Sequence, residues 1–219
     1  MKLELPEGLR SRVLAAAKAS PAPPRAAVQR GTALAMLLGM ASLVAVFFFF
    51  GGADLKTRPP AFLAMTAAGW AAIAAATTWA GAARGGSMLG RSTGLLVAAI
   101  LATGPGLMLW MHLGTSMWPG TLGYDAPLRA HLVCLGFVAA MALGPFVALA
   151  VVRRGSDPVH PRVTGAALGA VAGAWAGVMG DLHCPVSDAV HVGIGHILPL
   201  VIFALVGWVA GRRVFGLDA

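Results

Sequence analysis

Six stretches of this chain run for roughly 18–23 residues without a single charged side chain, the length a helix needs to cross a bilayer. They fall at Gly31–Phe50, Ala61–Ala83, Thr93–Leu113, His131–Val152, Val163–Gly180 and Val192–Gly211. A soluble domain needs polar surface to cover its core, and here 58% of the residues are hydrophobic and only 11% charged. The expected fold is therefore all-α: a polytopic membrane protein, a bundle of six transmembrane helices over residues 31–213. A cytoplasmic tail would precede it over residues 1–30, and a short one would follow over residues 214–219.

An even number of spans puts both ends of the chain on one side, and the basic residues say which. With the N-terminus inside, thirteen cations are cytoplasmic: Lys2, Arg10, Arg12, Lys18, Arg25, Arg30, Arg84, Arg91, Arg153, Arg154, Arg162, Arg212 and Arg213. Three are outside: Lys56, Arg58 and Arg129. That asymmetry assigns cytoplasmic termini by the positive-inside rule. It also accounts for the formal charge of +8 by membrane topology, so no direct nucleic-acid contact is expected. The first apolar run starts only at residue 31 and lacks a small-residue cleavage site, which reads as an anchor and not as a removable leader.

In the N-terminal tail, Pro6 suits a first helical turn. Leu9, Val13 and Ala16 or Ala17 follow on one face, with Arg10, Arg12 and Lys18 off that stripe. The proline-rich SPAPP at residues 20–24 makes a stiff spacer to the membrane. Such a helix either lies on anionic lipid or docks into the groove of a cytoplasmic protein. In the fifth span, Gly165, Gly169, Gly173 and Gly177 recur every fourth residue, with Gly207 and Gly211 in the sixth. Small residues at this spacing let two helix backbones approach closely in lipid, within the bundle or across a homodimer. Pro105, Pro145 and Pro199 interrupt three spans, as coupled transporters do, yet no acid or base lies mid-span to bind a coupling ion.

The chemistry gathers at the outer ends of the helices. His131 and Cys134 open the fourth span three residues apart, hence on one face. His183 and Cys184 lie just past the fifth, in the outer loop GDLHCPVSDAVHVGIGH, and His191 and His196 open the sixth. His112 closes the third span on the same side, leaving only His160 at the other end. Three readings stand: a structural Cys134–Cys184 disulfide in an oxidising compartment; thiols that bind a soft metal or become oxidised, assisted by imidazoles; or inert interfacial side chains. A metal ion or a non-covalently held porphyrin are the cofactors this set suits. With no C-x-x-C and no C-x-x-C-H, a dithiol oxidoreductase and covalent haem are not indicated.

Taken together, Cys134, Arg153-Arg154, the glycine-laddered fifth span, His183-Cys184-Pro185 and Gly207 through Arg213 resemble the NrsF-like family of bacterial inner-membrane anti-sigma factors. Val186 stands where that family often carries an acidic residue. The leader LPEGLRSRVLAAAKASPAPP is similar to that of myxobacterial members, among them CarR-type regulators of light-induced carotenogenesis, for which singlet oxygen would be the trigger. The resemblance implies a regulator without catalysis, whose N-terminal tail holds an extracytoplasmic-function sigma factor away from RNA polymerase. By position it makes Cys134 and Cys184 the signal-receiving pair, and Leu5, Leu9, Arg10, Val13, Leu14 and Ala17 the sigma-binding surface. The competing classes are a small redox or haem-linked membrane enzyme using the same residues, and a metal or small-solute permease.

Overall fold

The computed structural model describes residue 15 and residues 25–53, 58–82, 92–117, 127–154 and 159–216. The proposed tail residues Leu5, Leu9, Arg10, Val13, Leu14 and Ala17 lie outside the described residues. The chain divides into two units, Met1–Leu34 and Ala35–Ala219; of the first, residue 15 and the opening turns of one helix are described.

Six long helices carry the fold: α1 (Arg25–Phe49), α2 (Pro60–Ala82), α3 (Thr93–Met117), α4 (Leu128–Arg153), α5 (Pro161–His183) and α6 (Ala189–Phe215). All six are long and apolar enough to cross a membrane, and the described residues contain no strand. This is an all-α, six-span membrane protein. The end of the fifth span needs correction. α5 runs three residues past Gly180, so Asp181 and His183 are helical and not in the outer loop. The Cys184 N–H still reaches the Gly180 carbonyl, and the helix stops there because Pro185 pushes Cys184 into extended backbone.

α5 is the centre of the bundle. Between Thr164 and Gly180 every residue but Trp175 and Met179 is buried. Its composition permits this: an all-round apolar helix made largely of glycine and alanine is thin enough to be surrounded. Its glycines are where neighbours come closest. A Cβ on Gly165 would strike the Gly207 carbonyl of α6, one on Gly169 the Phe203 carbonyl, and one on Gly173 the Leu200 backbone. On α6, Gly207 and Gly211 answer them, against the carbonyls of Gly165 and Pro161. Gly177 instead makes room for the buried indole of Trp70 on α2. In lipid such contact rests on van der Waals packing, which the absent side chains make possible.

A buried ion pair ties α2 to the far end of α5. Arg58, just before α2, lies 3.5 Å from Asp181 through Nη1 and Oδ1 and donates through Nη2 to the Asp181 carbonyl. Thr66 Oγ1 donates to the other carboxylate oxygen at 2.8 Å. Both charged side chains are almost wholly buried, at 2% and 3% exposure. An ion out of water is tolerated only with such satisfaction.

Four variants test these contacts by thermal unfolding of the detergent-solubilised chain. Gly169→Ala should cost about 1–3 kcal/mol, because backbone and not a pliable side chain stands in the way. Gly136→Ala, where a Cβ meets nothing within 4 Å, should cost nothing and gain up to about 1 kcal/mol, because alanine is favoured over glycine inside a helix. Asp181→Asn, which strands the Arg58 charge, should cost about 3–5 kcal/mol, and the double change Arg58→Met with Asp181→Leu should recover most of that loss.

Candidate thiol and imidazole site

At the end of the bundle away from Arg153, Arg162 and Arg212, three pieces of chain bring sulfur and imidazole together. Cys134 comes from the second turn of α4. Cys184 is the residue that ends α5. His191 and His196 come from the start of α6, which Asp188 initiates by accepting from the backbone N–H groups of Val190 and His191.

The opening of α6 is not an ordinary helix. Val192–Ile197 is a π-helical segment, closed by a bond from the Leu198 N–H to the Gly193 carbonyl five residues back. Pro199 gives a physical reason: it has no N–H for the ladder, and its ring crowds the carbonyl of Gly195, four residues earlier. The wider turn has a chemical consequence. At about 100° per residue, side chains five apart on an α-helix point about 140° away from each other. Here His191 and His196 face the same side, their rings 5.5 Å apart. Gly195 between them lets α4 come close, since a Cβ there would sit 3.0 Å from the Cβ of Cys134.

The Cys134 and Cys184 sulfurs are 3.6 Å apart and unbridged. Cys184 Sγ lies 3.1 Å from His191 Nε2. One donor atom each from Cys134, Cys184, His191 and His196 falls within 4.8 Å of all the others. His191, His196 and Cys184 are buried, and Cys134 is partly buried. The contact with Cys134 and then burial push the Cys184 thiol above its ordinary value, outweighing the neighbouring imidazoles.

His196 is the informative member. It is 2% exposed, and neither ring nitrogen has a hydrogen-bond partner. Gly180 of α5 leaves the space for it, for a Cβ there would come 3.1 Å from His196 Nδ1. A buried polar ring with both nitrogens unspent is costly unless a ligand uses one. The set fits a metal ion: tetrahedral bonds of about 2.0–2.3 Å hold ligand atoms about 3.3–3.8 Å apart, so these four close by shifts of about 1 Å.

The other histidines take different places. His131 is buried beside the set, its Nδ1 2.9 Å from Nδ1 of His191. That contact occupies one nitrogen of His191 and aims the other at Cys184, as outer partners of metal-bound imidazoles do. His183 points elsewhere: its Nδ1 lies 2.7 Å from the Gly52 carbonyl, and its ring packs on Phe47 and Phe137. Gly51 and Gly52 take positive φ, which turns the chain after α1 and presents that carbonyl. His112 is exposed on α3, lining a cavity of about 400 Å³ with Thr115 and Ser187. Sequence reading had no means to separate these roles. It also missed Arg58 as the partner of Asp181, a pairing across 123 residues that no local pattern announces.

Comparison with known proteins identifies a family. The family described as "Negative regulator of sigma F", NrsF, matches residues 15–216. Among curated proteins, the "Probable anti-sigma-F factor NrsF" of Azospira oryzae is 35% identical over 79 residues, 36% of this chain. The match spans only 37% of that relative's own length. No solved structure matches. With its family match running from residue 15 to residue 216, the chain belongs to the NrsF family, the negative regulators of sigma F.

Proposed function

We propose that this chain is an inner-membrane anti-sigma factor with cytoplasmic termini, whose outer Cys/His set receives the signal by binding a thiophilic divalent metal. Family membership supports the regulatory half of this reading. The thirteen-to-three distribution of basic residues supports the orientation. The partner is a sigma factor of the extracytoplasmic-function class, held by Leu5, Leu9, Arg10, Val13, Leu14 and Ala17 of the tail.

The observation that carries the sensing half is the buried, unpartnered imidazole of His196 among two thiols and His191. Two thiolates and two imidazoles are the donor set of Zn²⁺ and of softer ions such as Cd²⁺. An ion there would join α4 to the start of α6 and favour whichever helix arrangement brings the four atoms nearest. A ligand shifts an equilibrium only by such differential binding.

Deleting residues Met1–Pro24 should abolish co-purification of the sigma factor from solubilised membranes and raise transcription of its regulon, while the bundle still inserts. Unchanged capture would contradict the tail assignment. For the site, titration of the full-length protein with Cd²⁺, followed by sulfur-to-metal charge-transfer absorption, should give saturable binding. Cys134→Ser and Cys184→Ser should each remove it. His131→Ala should weaken it about 10–100-fold as an outer partner, and His112→Ala and His183→Ala should leave it unchanged. Equal binding by all these variants would overturn the assignment.

A further inference from the structure

At the opposite end of the bundle, the same close approach of α5 and α6 builds a second concave site. Gly211 of α6 sits against the Pro161 carbonyl and the Arg162 backbone of α5, so the first turn of one helix and the last of the other share a mouth. A cavity of about 410 Å³ lies there, lined by His160, Arg162, Trp208 and Arg212 among others. The Arg162 guanidinium lies over the Trp208 ring, 4.7 Å from its centroid, which holds the charge in place. Among the described residues, neither Arg162 nor Arg212 forms an ion pair with a carboxylate.

We propose that this pocket binds the headgroup phosphate of an anionic phospholipid. Two arginines supply charge for a phosphate, and a pocket of this size falls within the range of small-ligand sites. Basic pockets between helix ends at the membrane surface recognise such headgroups. A lipid and not free phosphate is the occupant because of what adjoins the mouth. Val201, Leu205 and Val209 stand four residues apart on α6, with exposures of 43%, 59% and 69%, on the face that carries Trp208. They form an apolar track on which an acyl chain can lie. This pocket is separate from the thiol and imidazole set and shares no lining residue with it.

The test is native mass spectrometry of the full-length chain in non-ionic detergent, titrated with phosphatidylglycerol, phosphatidylcholine or inorganic phosphate. Phosphatidylglycerol should bind saturably and more tightly than phosphatidylcholine, whose cationic choline opposes the arginines. Arg162→Gln with Arg212→Gln should weaken it about twenty- to thirty-fold, about five-fold for each charge. Arg154→Gln with Arg213→Gln removes two cations at the same end but outside the cavity lining and should retain binding. Trp208→Leu keeps both charges and should also weaken it, through loss of the stacked Arg162. Equal loss in the two double variants would reduce the effect to surface charge and overturn the site. Displacement of the lipid by millimolar inorganic phosphate would overturn the lipid as its occupant.

Discussion

Everything in this bundle is arranged around the contact between α5 and α6. Three glycines on α5 and two on α6 let backbone meet backbone, with carbonyls standing where side chains would be. Without an aqueous hydrophobic effect between lipid-embedded helices, that packing is what the pair has to hold it. The two chemical ends of the molecule follow from it. At one end, the short connection from Cys184 to His191 places a thiol of the turn against imidazoles of α6. At the other, Gly211 draws Arg162 and Arg212 to a common mouth.

The thiol and imidazole end is held from two further directions. α4 brings Cys134 against Gly195, and α2 anchors the end of α5 through Arg58, Thr66 and Asp181. The buried carboxylate lies one helical turn before Cys184 and shares its helix with Gly180, the residue that makes room for His196. A change in the spacing of the four donor atoms therefore meets fixed points on α4, α5 and α6, which is the condition for a local event to become a rearrangement of helices.

Much of this was legible in the chain. Hydropathy located all six spans, since a bilayer crossing writes its length directly into the run of uncharged residues. The four-residue glycine period in α5 pointed to close packing because few other patterns place small residues in one line. Gathering the cysteines and five histidines at one end needed only the topology. Selecting among those histidines was beyond it. His191 and His196 are five apart, and α-helical periodicity separates them; the π-helical turn before Pro199 reunites them. His183 carried the motif most suggestive of a ligand, next to Cys184, yet helical geometry turns it to Gly52. Arg58 and Asp181 found each other only through tertiary structure, as long-range pairs do.

The central claim is that metal at the outer set changes the hold on a sigma factor at the other face. It is tested most directly by capturing the sigma factor on the full-length protein in lipid nanodiscs, with and without Cd²⁺. The account predicts capture in metal-free buffer, release on adding Cd²⁺, and capture under both conditions with Cys184→Ser. Capture by the wild-type chain that Cd²⁺ leaves unchanged, while the metal demonstrably binds, would contradict it.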